Sequence, residues 1–149
     1  MKSIQDSIIV NAPIHKVWEA IKDPQIHMQW HPFVTHIGGE HAHGAIRQCS
    51  AEVGGKAGYT EERCSLYEED HKIMWEIQKD STGFSDMVTD WAAGFTLQDN
   101  NGQTTLVIAQ SFFRPKKFFV HLMMPMIRYK FHQVQKQILG GLKHYAEIH

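Results

Sequence analysis

Two residues of opposite charge occupy matching positions on two segments that have the pattern of paired strands. The segments 46–53 and 57–67 are separated by Gly54-Gly55, which is typical of a two-residue hairpin turn. The register of that turn places Arg47 opposite Glu62. We expect either an ion pair of little energetic value at a solvated surface, or a charged pair inside a cavity that orients a carbonyl, carboxylate or hydroxyl group of a ligand.

A histidine in the segment Trp30-His31-Pro32 is a candidate acid or base, because an unperturbed imidazole titrates at about pH 6.5. Catalysis would require His31 to lie within hydrogen-bonding distance of a substrate. Glu62 is the other candidate catalytic residue. The alternative interpretation is structural: Trp30 packs the short helices against the sheet, and His31 is partly exposed.

The other histidines and the two cysteines do not predict a metal site or a nucleophile. His41 and His43 share a glycine-flanked loop, but a metal site needs three or four converging ligands, and no HExxH or CxxC motif occurs. Cys49 and Cys64 lie in predicted strands without the signature of an activated thiol, and the sequence contains no GxSxG or phosphate-loop motif. We expect no metal, no cofactor and no nucleophilic catalysis.

Large apolar side chains on several elements are candidate walls of a ligand pocket. Four belong to predicted strands and four to the start of the last helix, where adjacent methionines would adapt to ligands of varied shape. The alternative is that these side chains fill an ordinary core. The complete predicted ligand-binding set is Trp30, Arg47, Glu62, Trp75, Trp91, Phe95, Phe112, Met123, Met124, Ile127 and Phe131.

The elements that position these residues follow from hydrophobic periodicity. Apolar alternation and turn residues predict strands over 3–10, from 33 onward, and over 46–53, 57–67, 73–78, 84–97 and 104–113, with a bulge or bend at Ala92-Ala93-Gly94. A helix starts at Asn11-Ala12-Pro13 and ends at Asp23-Pro24, and a short helix or turn follows. After Pro115 a helical stripe runs from Ile127 to Tyr145, and Pro125 either kinks this helix or starts its regular part.

This order predicts an α+β fold. A curved antiparallel sheet of about seven strands is covered by one long C-terminal helix, and two short helices follow the first strand. Since a strongly twisted sheet of that size curls, one helix cannot fill its whole concave face. A cavity between sheet and helix is the expected consequence.

Composition excludes several classes of protein. The 149 residues fit a single domain, 1–149, and a net charge of −1 gives no support to nucleic-acid binding. No export signal or membrane-spanning segment is evident, so we expect a cytoplasmic protein without disulfides or stable membrane insertion. Lys116-Lys117 beside Phe118-Phe119 are too few basic residues to predict stable membrane attachment. The oligomeric state, monomer or homodimer, is not predicted.

The chain resembles the START-like helix-grip superfamily (SRPBCC), in particular its polyketide cyclase/dehydrase-like and lipid-transport branch. The resemblance covers essentially the whole chain. It is carried by the C-terminal helix and by the segments Ile8-Ile9-Val10-Asn11-Ala12-Pro13, Val17-Trp18-Glu19, Asp23-Pro24, Trp30-His31-Pro32-Phe33, Gly44-Ala45-Ile46-Arg47 and Glu61-Glu62-Arg63. It implies a grip-like fold that encloses a hydrophobic pocket between the sheet and the long helix, without fixing a reaction.

Three functions are compatible with these predictions. The first is binding of a small hydrophobic or aromatic molecule, such as a lipid or a polyketide-like compound, without chemistry. The second is a cyclase or dehydratase that uses the same cavity. The third is a protein-interaction module whose cavity is filled by its own side chains.

Overall fold

The computed structural model describes residues 2–39 and 42–149 and has the predicted α+β architecture. The strands pair antiparallel in one seven-stranded sheet of order β1-β7-β6-β5-β4-β3-β2. In chain order the elements are β1 (Lys2–Val10), α1 (Ile14–Lys22), α2 (Pro24–Trp30), β2 (Val34–Gly39), β3 (Ile46–Val53), β4 (Lys56–Glu68), β5 (Lys72–Asp80), a short 3-10 turn (Phe84–Asp86), β6 (Val88–Asn100), β7 (Thr104–Pro115) and α3 (Phe118–Ile148).

The hairpin turns follow the chemistry that their glycines predict. Gly54 and Gly55 have φ angles of 59° and 81°, so both central positions of the β3–β4 turn lie in the left-handed region that glycine tolerates. This turn pairs Val53 with Lys56 and carries the register along to Arg47 and Glu62, which are direct partners as predicted.

The start of β6 differs from the prediction. We expected one strand over 84–97, but residues 84–86 form the 3-10 turn, and the strand begins at Val88. The Asp80 carboxylate accepts hydrogen bonds from the backbone N–H groups of Thr82 and Ser85, which stabilises a turn at this point instead of an extended chain.

The irregularity of β6 also lies earlier than predicted. The register between β6 and β7 shifts between Thr89 and Ala92, and Asp90 has a φ of 55°. Gly94 has a different role, because a Cβ atom there would lie 2.0 Å from the carbonyl oxygen of Ile73. The glycine therefore permits β5 and β6 to approach closely.

Helix α3 begins at Phe118 and runs continuously through Pro125, so Pro125 does not mark the start of the helix. In the described part of the chain, no helix combines the length and the apolar character needed to cross a membrane.

Two apolar clusters lie between α3 and the sheet. The first core cluster joins α1 and α2 to the middle of the sheet and the C-terminal half of α3, and includes Trp18, Trp75, Leu97, Leu139 and Leu142. The second core cluster lies under the N-terminal half of α3 and is built from Ile4, Val88, Phe113, Val120 and Ile127, with Phe84, Met87, Trp91, Met123, Met124 and Phe131 packed against it.

Candidate ligand-binding site

A cavity of about 140 Å³ lies between the sheet and the C-terminal half of α3. Its walls come from α1, α2, the five strands β3 to β7 and α3, so that no single element forms the site. The lining residues are Ile21, His27, Arg47, Glu62, Ile73, Trp75, Ala93, Gly94, Phe95, Ala109, Gln110, Ser111, Gln135 and Ile138.

The space exists because the strands under it carry small side chains. Ala93 of β6 pairs with Ser111 of β7, and the next pair on the same face joins Phe95 to Ala109. Three of these four residues have one or two side-chain heavy atoms, and a single α-helix above them cannot descend to fill the volume that they leave. The cavity is thus the consequence of an alanine- and serine-lined floor.

One wall of the cavity is a charged group in a largely apolar setting. Arg47 Nη2 and Nε lie 2.7 and 2.9 Å from Glu62 Oε1, and these side chains are only 12% and 13% exposed. The Arg47 guanidinium also lies over the Trp75 ring, with its central carbon 3.8 Å from the ring centroid. The sequence left two alternatives, an ion pair at a solvated surface and a charged pair inside a cavity. The low exposure of both side chains corresponds to the second alternative.

The carboxylate of Glu62 is held from both sides. While Oε1 accepts the two bonds from Arg47, Oε2 accepts a 2.7 Å hydrogen bond from the hydroxyl of Thr60. The Cys49 thiol lies 4.0 Å from Oε1, and burial raises the pKa of this thiol to about 11. Cys49 is consequently a protonated, buried side chain at neutral pH and not a nucleophile.

At the α3 side the cavity ends in a polar chain that the sequence did not suggest. The Ser111 hydroxyl donates to Gln135 Oε1 at 2.7 Å, and Gln135 Nε2 donates to Asp6 Oδ2 at 2.7 Å. The same carboxylate oxygen lies 2.8 Å from His132 Nδ1. Since Asp6 is 10% exposed and Gln135 is buried, these bonds fix α3 on β1 and β7 and place two polar groups at the cavity.

Trp30 and His31 lie at the α2 side of the site in structural roles. Trp30 Nε1 donates to the carbonyl of Ala20 at 2.7 Å, so that its ring packs α2 against α1, where His27 of α2 contributes to the cavity wall. The backbone of Trp30 also touches α3, because a Cβ at Gly141 would lie 2.5 Å from the Trp30 carbonyl oxygen.

His31 is held as an acceptor and not as a free base. Its Nδ1 accepts the backbone N–H groups of Phe33 and Val34 at 3.1 and 3.2 Å, which requires that nitrogen to be unprotonated. Desolvation by burial, together with the positive charge of Arg47, lowers the pKa of His31 to about 4. His31 is not among the described residues that line the cavity.

The structure divides the predicted pocket residues into two groups. Arg47, Glu62, Trp75 and Phe95 meet at the cavity. The others on the inner side belong to the second core cluster, where rings occupy the space: Trp91, Met123, Met124, Ile127 and Phe131. Four of these side chains belong to the N-terminal half of α3 and Trp91 belongs to β6, and none of the five lines the cavity.

Phe112 is a correction to the prediction. We expected it on the concave face, but its neighbours Ser111 and Phe113 both contact α3, and side chains alternate along a strand. Phe112 therefore points to the other face of the sheet, where it lines a depression together with Glu76, Gln78 and Ala92.

One group of possible metal ligands occurs among the described residues, and it does not involve the pair His41 and His43 of the sequence analysis. Ligand atoms of His15, Glu69 and Asp70 lie within 4.8 Å of one another. Neighbouring cations account for part of this arrangement, since Lys22 Nζ lies 3.6 Å from Glu69. His41 lies outside the described residues.

The residues that sequence reasoning missed are mostly small or polar. Ala93, Ala109 and Ser111 define the floor, and Gln135 supplies an amide, yet none has a side chain that suggests a pocket wall. The available signal was the run of small residues at 92–94, which we interpreted only as a bulge or bend.

Comparisons with known proteins agree with this geometry. A family model described as polyketide cyclase / dehydrase and lipid transport matches residues 1–147. Among the curated proteins, none has a significant match to this sequence.

Solved structures share the fold at low sequence identity. A START superfamily protein from Mycobacterium smegmatis is 15% identical, with a TM-score of 0.79 and 97% of each chain covered. The Zhui aromatase/cyclase from Streptomyces sp. R1128 is 14% identical, with a TM-score of 0.79, 98% of this chain and 93% of that chain covered. Ginseng major latex-like protein 151 from Panax ginseng is 10% identical, with a TM-score of 0.73 and 97% of each chain covered. At these identities the likeness concerns the fold alone.

Proposed function

Because the chain belongs to the polyketide cyclase / dehydrase and lipid transport family, we propose that it binds a small hydrophobic or aromatic molecule in the cavity between the sheet and α3. The observation that carries this proposal is the partly buried Arg47–Glu62 pair at a largely apolar cavity. A buried ion pair contributes little net stability compared with well-packed apolar residues, so a role in orienting a ligand explains its position better than a role in folding.

The volume of the cavity favours a compact ligand. A cavity of about 140 Å³ is close in size to engineered apolar cavities that bind benzene, of about 150 Å³. We therefore infer that one aromatic ring, or one ring of a larger molecule, occupies it. A ring stacked near Trp75 and Phe95 would bury apolar area at about 25 cal/mol per Å². A polar substituent would meet Arg47 on one side or Ser111 and Gln135 on the other.

The cyclase or dehydratase alternative has less support from the geometry. Both oxygens of Glu62 accept hydrogen bonds from the protein, and His31 uses Nδ1 for two backbone contacts. Neither residue presents an unengaged base to the cavity. The filled-cavity alternative would require the space above Ala93 and Ala109 to be occupied.

The test is a binding measurement on a cavity-filling variant. Native mass spectra of the protein from its own host would identify a co-purified ligand, and a panel of single-ring and fused-ring aromatics would then be titrated by calorimetry. Ala109→Leu places three more carbons in the cavity, so we expect it to lose binding of single-ring compounds while keeping its circular dichroism spectrum.

The matched control for Ala109→Leu is Ile108→Leu, at the next position of β7. The side chain of Ile108 points to the opposite face of the sheet, and we expect unchanged affinity. The proposal fails if no compound of the panel binds the unmodified protein, or if Ala109→Leu and Ile108→Leu bind it equally well.

A further inference from the structure

The first three turns of α3 expose large apolar side chains on their outer face. Phe118, Leu122 and Tyr129 are 78%, 68% and 62% exposed, and Phe119 and Met126 are each 48% exposed. Phe118, Leu122, Met126 and Tyr129 are spaced 4, 4 and 3 residues apart, which places them on one side of the helix.

The inner face of the same turns is apolar as well. Val120 and Ile127 are buried against the sheet, and the half-buried ring of Phe131 packs against Phe113. A helix that is apolar on both faces is normally covered on both faces. A contiguous exposed group of five large apolar residues accordingly indicates an interaction surface.

Basic residues are concentrated in the C-terminal third of the chain, which contains α3. Residues 1–99 contain eight Lys and Arg and fifteen Asp and Glu, whereas residues 100–149 contain seven Lys and Arg and one acidic residue, Glu147. Glu147 lies 29 residues after Phe118 on α3, which corresponds to about 44 Å along a helix. The net charge of −1 conceals this asymmetry.

Basic side chains border the exposed apolar stripe. Lys116 and Lys117 are exposed directly before Phe118, and the Lys117 ammonium lies 6.0 Å from the centroid of the Phe119 ring. Farther along, Arg128 and Lys130 lie on either side of Tyr129 in the sequence, and therefore on opposite flanks of the stripe.

An exposed apolar stripe bordered by basic residues fits one kind of partner better than the other. A second copy of the chain placed symmetrically on the same face would bring Lys116 and Lys117 close to their own equivalents if the two helices were parallel. If the helices were antiparallel, these lysines would lie close to Arg128 and Lys130 of the other copy. Like charges oppose the interface in both arrangements. A bilayer with anionic lipids accepts both features at once, because aromatic and aliphatic side chains enter the headgroup–acyl boundary and lysines meet the negative surface.

We propose that the outer face of residues 116–130 docks the protein reversibly on an anionic membrane surface. The docking is peripheral: the helix lies in the interfacial plane with Phe118, Leu122 and Met126 inserted. It is independent of the cavity and of any ligand. Two lysines alone predict no stable attachment, and the exposed apolar stripe next to them is the feature that changes this conclusion.

The experiment is flotation of the purified full chain with vesicles of phosphatidylcholine, with or without phosphatidylglycerol. We expect binding to the anionic vesicles and its loss in high salt. Phe118→Ser/Leu122→Ser should weaken binding at least tenfold, because two inserted apolar side chains are lost. Lys116→Glu/Lys117→Glu should weaken it about 25-fold or more, at about fivefold for each basic residue removed from an anionic surface.

Matched controls separate docking from general surface effects. Ile148→Ser removes an apolar residue that is 62% exposed at the far end of the same helix, and Lys56→Glu reverses an exposed charge in the β3–β4 turn. Both should bind as the unmodified protein does. Equal binding to both vesicle types, absence of binding to either, or a dimer that dissociates in Phe118→Ser/Leu122→Ser would each overturn the proposal.

Discussion

The two core clusters under α3 contain similar types of residue, yet a cavity of about 140 Å³ adjoins the first, whereas aromatic rings pack against one another in the second. On β7, Ser111 faces the cavity, and two positions later on the same face Phe113 fills the second core cluster. The Phe113 ring lies 5.4 Å from the Phe84 ring and 5.2 Å from the Phe131 ring, measured between centroids. These distances are those of packed aromatic pairs.

The difference shows that aromatic residues do not mark a pocket by themselves. Trp75 and Phe95 line a cavity because Ala93, Ala109 and Ser111 lie beside them. Trp91 fills space because Phe84 packs edge-on against it, with centroids 4.9 Å apart. The size of the partners determines whether a large ring becomes a wall or a filler.

The largest expected effect comes from opening the filled cluster. Phe113→Ala should lower the free energy of unfolding by about 4 kcal/mol, because a buried ring held by two other rings is replaced by a new cavity. Phe95→Ala should cost about half as much, since Phe95 is half-buried and already borders empty space. Urea denaturation measures both values. Equal losses would mean that the two clusters are packed alike.

The second effect concerns the charged wall. Glu62→Ala should destabilise the protein by about 3 kcal/mol, because it leaves Arg47 without its carboxylate in a site that is 12% exposed. The matched control is Glu76→Ala, which breaks an Arg63 pair whose side chains are 41% and 42% exposed, and which should cost less than about 1 kcal/mol.

A double variant sharpens this test. Arg47→Met/Glu62→Ala removes both charges, so it should recover much of the stability that Glu62→Ala loses. If the double variant is less stable than Glu62→Ala, the cation–π contact of Arg47 with Trp75 is what stabilises this wall, and the ion pair is secondary.

The pairing of Arg47 with Glu62 was predictable because a two-residue turn transmits its register along both strands. The order of elements was predictable for the same kind of local reason. The burial of that pair was not predictable, since it depends on the Trp75 ring and on the tertiary packing that encloses the cavity around these residues. Phe112 was misplaced because β6 and β7 carry apolar residues on both faces, and alternation alone does not say which face is concave.

The contacts of α3 were the least predictable feature. The chain from Ser111 through Gln135 to Asp6 joins residues 24 and 129 positions apart, and no local pattern connects them. The helical stripe identified which residues face the sheet in general, but the side chain opposite each of them is decided by tertiary packing.

The third prediction concerns how the free energy of unfolding depends on pH through His31. The pKa of His31 is about 4 in the folded protein and about 6.5 in the unfolded chain, so between these values the unfolded chain binds more protons. Its contribution to stability is complete above about pH 6.5 and is lost as the pH falls toward 4. We expect a loss of about 2 kcal/mol, less than full burial would give, because the side chain is only half-buried.

His31→Gln isolates this contribution from that of the carboxylates, which titrate in the same range. The variant cannot take up the proton, so its unfolding free energy should change less between pH 7 and pH 4 than that of the unmodified protein. Identical pH dependence in the two proteins would show that His31 is protonated without cost in the fold.

The smallest expected effect tests the comparison most directly, because the same kind of change should have opposite signs in the two clusters. Ala109→Val adds two carbons to the cavity and should stabilise the protein by about 1 kcal/mol, at about 0.8 kcal/mol per buried methylene less some lost side-chain entropy. Val88→Ile adds one carbon to the second core cluster, where Val88 is 3% exposed, and should destabilise by about 1 kcal/mol through overpacking. Thermal and urea unfolding measure both.

A loss of stability in both variants would mean that the cavity is kept by rigid walls that do not admit a methyl group. A gain in both would mean that the second core cluster is underpacked, and the contrast between an open and a filled end would then fail.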